Sequence, residues 1–347
     1  MSPPDTTTPA AADLDAARRH DEAAFGRLVG PHRTELQAHC YRMLGSAADA
    51  EDALQETLVR AWRGLPSFEG RSSLRSWLYR IATNVCLKTL ERRPKRVLPI
   101  EYGPASDPHD RLEGALAEPV WIEPYPDDAL GLEDRPAAVE ARYEQRESVE
   151  LAFVAALQHL PGRQRAVLLL RDVLGFGPAE IAAMLDATPA AVYSALQRAH
   201  QAVEERLPAQ SQQATLRSIG DERLRKTVER YLDAWERNDV AALAAMLADD
   251  ATFAMPPQPG WYVGRSAVAT FLAAMPLSGR RQWHHVPLQA SGQLAFGLYG
   301  AVSGETAYHA DAIMVLSLDS AARITGITAF REPAAFARFG LPNEIRR

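Results

Sequence analysis

From Asp15 to about Arg93, apolar residues recur at steps of three and four with few Pro or Gly between them, a period that predicts helices. One interruption, GLPSFEGRSS at Gly64–Ser73, gathers turn formers and ends in a helix cap at Ser72 or Ser73. The next helix, LRSWLYRIATNVCLKTLERR, is expected to run up to Pro94, which has no N–H to continue it. Val97 to about Pro136 shows no sustained period and is rich in Pro, Asp and Glu, so it reads as a linker. Its segment WIEPYPDDAL carries two large aromatics that a passive spacer does not need.

Glu140 to Leu207 is helical again. Helices are expected over Ser148–Leu160 and Gln164–Val173, with Pro161-Gly162 turning the chain between them. PAEIAAML and PAAVYSALQRAHQAVEERL follow, and the polar PAQSQQATLRS reads as a second linker. From Ile219 the pattern changes. Two helices, DERLRKTVERYLDAWERND and VAALAAMLADD, precede strand-like pieces at ATFAMP, RQWHHVPLQA, QLAFGLYGAV, YHADAIMVLSLD and RITGITAF, with a helix at SAVATFLAAM. Helices first and antiparallel strands afterwards predict an α+β domain.

The chain has 347 residues, enough for two or three domains, and 47% hydrophobic content gives each a core. No apolar run is long enough for a membrane span, and the N-terminus lacks the basic start and apolar core of a signal peptide, so a cytoplasmic protein with no membrane partner is expected. Cys40 and Cys86 lie in helical patterns with no second ligand at metal spacing, so both are read as reduced thiols and no cofactor or metal is expected. The net charge of −6 argues against a simple nucleic-acid binder. Its distribution reverses that reading: Arg60–Arg96 holds ten basic residues against two acidic, and Val97–Glu147 holds four against thirteen.

Gly177–Arg206 reads as a helix-turn-helix. Ile181, Met184 and Leu185 give its first helix a buried face. Thr188 caps the second, and Pro189 suits its first position. Val192, Leu196, Ala199 and Val203 form a narrow apolar stripe; Ala190, Ser194 and Gln197 lie opposite, with Tyr193 and Arg198 at the flank. Such a face fits the DNA major groove, with Arg163, Arg165 and Arg198 available for phosphates. Five basic residues balance five acidic ones over Pro161–Arg206, so stand-alone binding is expected to be weak. The basic helix after the Ser67–Ser73 loop interleaves Arg75, Arg80, Lys88, Arg92 and Arg93 with Trp77, Tyr79 and Asn84. That mixture suits single-stranded DNA, the loop offering polar groups to an extruded base. Trp77 and Ile81 are read as core.

DAEDALQETLVRAWR, Asp49–Arg63, places Leu54, Leu58 and Ala61 on one face and Asp52, Gln55, Glu56, Val59 and Arg63 on the other. Asp49 and Glu51 suit a helix N-terminus and are read as capping and solvated surface. The remainder, including an exposed Val59, reads as a protein-binding patch.

The run DAEDALQETLVRAWRGLPSFEGRSSLRSWLYRIATNVCLKTLERRPKR resembles the second conserved domain of a bacterial sigma factor, and LPGRQRAVLLLRDVLGFGPAEIAAMLDATPAAVYSALQRAHQAVEERL the fourth. The resemblance covers about Phe25–Leu207. The absence of a third domain between them resembles the extracytoplasmic-function class of sigma-70-type factors. VERYLDAWERNDVAALAAMLADDATFAMPPQPGWYVGRSAVATFLAAM resembles a SnoaL-like domain of the NTF2 superfamily, a helix-covered curved sheet enclosing a pocket. The tail, together with the Trp121–Asp127 segment, resembles an actinobacterial-type subgroup in which such tails look regulatory.

The resemblance implies a multidomain fold: two all-α sigma domains, a helical bundle and a helix-turn-helix, followed by an α+β cone. The expected layout is a disordered tail over 1–14, sigma domain 2 over 15–96, an acidic linker over 97–139, sigma domain 4 over 140–207, a linker over 208–217 and the cone over 218–347. It implies core RNA polymerase (the β′ clamp and β flap) and promoter DNA as partners. Asp52, Gln55, Glu56 and Val59 would meet the clamp. Ser67, Phe68, Arg71, Ser72, Arg75, Arg80, Asn84, Lys88, Arg92 and Arg93 would meet a single-stranded −10 element. Arg163, Arg165, Ala190, Tyr193, Ser194, Gln197 and Arg198 would meet a duplex −35 element. The chain departs from the family in carrying Tyr193 and Ala195 where recognition helices usually carry basic residues.

In the cone, Met255, Trp261, Tyr262, Trp283, His309 and Phe330 are candidate pocket lining for a small ligand. Asp311 lies two residues after His309, so on a regular strand both face the same side; these and His284 and His285 are the residues a base would need, but they read as rim. No enzymatic activity is expected. The acidic linker could act as a nucleic-acid mimic, folding back on the Lys88–Arg96 region. A one-component ligand-responsive helix-turn-helix regulator is the competing reading, which leaves the Asp49–Arg63 stretch and the basic helix without a role; a small-molecule enzyme fused to a DNA-binding anchor is a third.

Overall fold

The computed structural model describes residues 9–112, 114–116, 120–130, 147–302 and 304–346. The chain divides into two compact units, residues 1–95 with 157–205 and residues 96–156 with 206–347.

In the first unit, α1 (Pro9–Arg18) and α2 (Glu22–Val29) lead into α3 (Arg33–Leu44), α4 (Ala47–Gly64) and α5 (Leu74–Leu90). The expected disordered tail is corrected: a helix starts at Pro9. Its Leu14 and Ala17 pack with Ala24, Leu65 and Phe68, while Arg27 pairs with Asp13 at 2.6 Å. Residues 1–8 lie outside the described residues. Gly45 ends α3 in the left-handed region at φ 68°, where a Cβ would be strained, and the next residue, Ser46, caps α4 by accepting from the Asp49 N–H at 3.2 Å. Of the two candidate caps before α5, Ser73 is the one used, accepting from the Ser76 N–H at 3.0 Å. The core of α3–α5 includes Leu36, Cys40, Met43, Leu78, Tyr79 and Cys86, all fully buried, and both thiols are free.

After α6 (Leu151–Gln158), α7 (Gly162–Leu168) runs into a π-helical turn, Leu169–Val173. The helix-turn-helix is α8 (Pro178–Met184) and α9 (Pro189–Glu204). Thr188 accepts from the Ala191 N–H at 3.2 Å, and Val192, Leu196, Ala199 and Val203 are buried. α7 packs on α3 and α5, α8 packs on α5, and α9 packs on α7 and α8. Gly162 sits against Leu87 and Leu90, where an added Cβ would come within 3.1 Å of Leu87. The Phe176 ring meets Tyr79 edge-on, centroids 5.3 Å apart.

In the second unit, α10 (Gln212–Ile219), α11 (Asp221–Glu236) and α12 (Val240–Met246) precede a sheet in the order β2 (Trp261–Val263), β1 (Leu247–Ala254), β6 (Ile324–Phe330), β5 (Ala307–Leu318), β4 (Gln293–Val302), β3 (Arg281–Ala290). The β1–β6 pair is parallel and the others antiparallel; β7 (Glu344–Arg346) pairs with the first part of β5. α13 (Arg265–Ala274) and α11 cover the sheet through Tyr231, Trp235, Phe271 and Leu272, which meet Phe253, Phe296 and Met314 in one core. Each such side chain contributes roughly 1.5–3 kcal/mol by leaving water.

Three expectations change here. The helix from Val240 stops at Met246: Leu247 pairs with Ile324, so LADD belongs to the sheet and not to the helix. Gln212–Ile219 is a helix and not a linker, because Ser211 caps it and the buried Glu150 carboxylate accepts from the N–H groups of Gln212 (2.9 Å) and Gln213 (2.7 Å). The middle of the acidic linker is built into this unit. Trp121 donates its indole N–H to the Pro257 carbonyl at 3.0 Å, the Tyr125 N–H donates to Ser291 Oγ at 3.1 Å while the Tyr125 carbonyl accepts from the Ser291 N–H at 2.8 Å, and Asp127, 1% exposed, accepts from the Gly292 N–H at 2.8 Å. Glu123 faces Arg96 and Arg338. The described acids Glu123 and Asp127 are thus structural, which removes them from a solvated nucleic-acid mimic; Glu113, Glu118, Glu133, Asp134, Glu140 and Glu144 lie outside the described residues.

Candidate polymerase and promoter interfaces

On α4, Asp52, Gln55, Glu56 and Val59 are exposed together, Val59 at 41%, while Leu54 and Ala61 are buried on the other side. Glu56 pairs with Arg60 at 2.6 Å. Asp49, expected as solvated surface, is instead buried and paired with Arg93 at 3.3 Å, because the capping role falls to Ser46. Asp52 and Glu56 line a groove whose far wall is Lys88, Arg92 and Arg93.

Along α5, Arg80, Asn84 and Lys88 are exposed at steps of four, so they form one stripe about 12 Å long, continued by exposed Arg92 and Arg93. The loop before it exposes Ser67, Arg71 and Ser72, with Ser67 bonded to the Gly64 carbonyl and Arg71 to Glu69. Two residues expected at the −10 element are placed elsewhere. Phe68 is 8% exposed and packs on Trp77, centroids 5.0 Å apart. Arg75 lies over the Phe176 ring at 4.5 Å and donates to the Leu174 carbonyl at 3.3 Å, and the neighbouring Ser76 donates to Glu180.

On α9, Ala190, Ser194 and Gln197 share an outward face, Tyr193 is 61% exposed, and Arg198 is exposed. Arg163 is exposed and donates to the Leu185 carbonyl at 3.3 Å. Arg165 corrects its expected role as a phosphate contact. It is 4% exposed and donates to the carbonyls of Met43, Gln158 and Leu160 and to the Gln158 side chain. Burial lowers it to about 10. A charged group in that position is a structural clasp between α3 and α7, and the sequence hides it because its neighbour Arg163 has the same chemistry and faces out.

The cone encloses a cavity of about 220 Å³. Met255 and Trp283 line it; of the other expected lining residues, Tyr262 and Trp261 do not. Tyr262 stacks on Phe271 at 4.2 Å and borders an outer cleft, and Trp261 donates to the Gly103 carbonyl. Phe330 is buried outside the lining. His309 is exposed beside Glu344 at 4.0 Å, whereas Asp311 lines the cavity. The two separate because β5 carries a bulge: Tyr299 pairs with Ala310 and Leu298 with Ala312, leaving Asp311 as the extra residue. Arg281 and Arg331, absent from the sequence reading, both donate to Asp311 Oδ1, at 3.2 and 3.0 Å. His284 is exposed. His285 is buried among Tyr231, Trp235 and Phe296, and its pKa is lowered to about 3 chiefly by burial. A ring held neutral in that setting is core and not a base facing the cavity.

Comparison with known families fits these parts in order. The model of Sigma-70 region 2 matches residues 28–96, that of Sigma-70, region 4 residues 150–203, and that of the SnoaL-like domain residues 228–327. The ECF RNA polymerase sigma factor SigG of Mycobacterium tuberculosis is 42% identical over 327 residues, 92% of this chain and 85% of that protein. The RNA polymerase sigma-H factor of Pseudomonas aeruginosa is 28% identical over 194 residues, covering 56% of this chain and 91% of its own length. The crystal structure of the extracytoplasmic function sigma factor SigJ of Mycobacterium tuberculosis shares the fold, with a TM-score of 0.53 at 22% identity over 89% of this chain and 97% of that one. Among the described residues no helix is long and apolar enough to cross a membrane. With its helical sigma regions, its cone and a relative matched along almost its whole length, the chain belongs to the ECF RNA polymerase sigma factors.

Proposed function

We propose that this sigma factor docks on the β′ clamp of core polymerase through Asp52, Gln55, Glu56 and Val59, and that α9 rests near the β flap while reading the −35 duplex. The observation that carries the docking reading is the joint exposure of three polar residues and Val59 on one side of α4. The stripe Arg80–Asn84–Lys88 on α5 holds the single-stranded −10 element, its cations on phosphates and Asn84 on a base edge. Few basic residues on α9 make promoter binding depend on polymerase, since duplex affinity rests largely on phosphate neutralisation.

The C-terminal cone acts as a regulatory module without enzymatic activity. Support comes from the seating on the cone of Trp121–Asp127, part of the segment joining the two sigma regions: Trp121 meets Pro257 between β1 and β2, and Tyr125–Asp127 meet the β3–β4 turn. For Arg75 to join the −10 contacts, α5 parts from the helix-turn-helix and frees it from Phe176 and Leu174.

Co-elution with core RNA polymerase tests the docking surface. Wild type is expected to co-elute, and Asp52→Lys with Glu56→Lys to lose the complex while keeping its helical circular dichroism. Retention of the complex by the folded double variant would refute the docking assignment.

A further inference from the structure

The cavity of the cone combines an apolar body with a charged mouth. Its walls include Trp235, Phe253, Trp283 and three methionines, Met255, Met275 and Met314. At the mouth, two guanidinium groups face one carboxylate: Arg281 uses Nη1 and Arg331 uses Nη2 on the same atom, Asp311 Oδ1. The mouth therefore carries one positive charge in excess. Arg331 Nε, buried, has no hydrogen-bond partner among the described residues. Arg281 is also placed by the Trp283 ring, 5.8 Å from its guanidinium carbon.

We propose that this cavity is a binding site for a small apolar carboxylic acid, its carboxylate held between Arg281 and Arg331 and its body laid against Trp235, Trp283 and Met314. A planar carboxylate accepts two N–H groups at once and matches the guanidinium donors that Asp311 leaves unused. A cation is repelled by the excess positive charge, and a neutral apolar molecule leaves that charge partly desolvated and uncompensated. The volume of about 220 Å³ equals that of about seven waters, which fits a monocyclic aromatic acid or a medium-chain fatty acid. Methionine walls adapt to either shape.

One wall is Leu112, which belongs to the segment between the two sigma regions and packs on the cone's core. An occupant of the cavity therefore touches the same segment whose later part, Trp121–Asp127, is fixed on the cone. The binding claim stands on the cavity alone and not on the regulatory reading, so it is tested without polymerase.

The test is titration of the full chain with benzoate and octanoate, and with benzamide and octanamide as neutral counterparts, followed by calorimetry and tryptophan fluorescence. At least one acid is expected to saturate at or below millimolar concentration and its amide to bind at least tenfold more weakly. Arg281→Gln and Arg331→Gln should each weaken the acid at least tenfold and leave the amide unchanged. Met314→Trp, which fills the cavity, should abolish binding of both while circular dichroism stays native. Absence of saturable binding by either acid, or equal affinity for acid and amide, overturns the proposal. If an arginine variant does not fold, the acid–amide comparison on the wild-type chain decides.

Discussion

Arg165 donates to the main-chain carbonyl of Met43, and through that bond a charged residue of the fourth sigma region closes a helix end of the second. The same guanidinium takes the Gln158 side chain at 2.6 Å and the carbonyls of Gln158 and Leu160 at 3.1 and 3.2 Å.

Removing it leaves those acceptors buried without a donor. Arg165→Ala should lose about 3 kcal/mol in urea unfolding. Arg163→Ala, two residues away but exposed, should change stability by less than about 0.5 kcal/mol. Equal effects of the two changes would contradict the clasp.

Trp121 is 6% exposed and anchored by one indole hydrogen bond to Pro257. Trp121→Ala should release the segment at 120–127 from the cone. Native-state hydrogen exchange at Ile122 and Tyr125 is expected to rise by at least tenfold, because local opening then costs less. Unchanged protection would mean that Asp127 and Tyr125 suffice to hold the segment.

His285 gives the cone an acid-sensitive core. Its folded-state pKa, about 3, lies below the ordinary 6.5, so the unfolded chain takes up a proton first as pH falls. Its stabilisation is fully present above pH 6.5 and is lost as pH drops toward 3, on the order of 3–5 kcal/mol in all. His285→Phe should flatten the dependence of unfolding free energy on pH in that window; an unchanged slope would contradict it.

Glu150 works in the opposite sense. Burial raises its carboxyl from the ordinary 4.5 to about 7, against the two main-chain N–H groups that favour the anion. Stability is full below pH 4.5, where both states are protonated, and falls as pH rises through 7, by on the order of 3 kcal/mol. Glu150→Gln should remove this fall as measured by urea unfolding at pH 5 and pH 8. A variant that still loses stability between those values would place the titrating group elsewhere.

The helices and the two faces of α4 were legible in the sequence because they depend on local period and capping: Thr188, Ser73 and the Leu54–Ala61 stripe need no distant partner. What was hidden depended on tertiary pairing. Nothing local distinguishes Arg165 from Arg163, or Leu247 as a strand residue from Leu243 as a helical one. The bulge at Asp311 is invisible to strict alternation, which kept His309 and Asp311 on one side and missed the convergence of Arg281 and Arg331 from two other strand ends. The Trp121–Asp127 segment stood out by composition, but its seats on Pro257 and on the β3–β4 turn required the fold.

As an ECF sigma factor, this chain confers promoter-dependent initiation on core RNA polymerase. The most direct measurement is run-off transcription from a library of promoter-bearing templates with core polymerase, with and without the full chain, followed by sequencing of transcript starts. Defined starts are expected only when the chain is present, and they should disappear with Asp52→Lys and Glu56→Lys. Starts identical with and without the chain, together with duplex DNA binding by the chain alone, would contradict it.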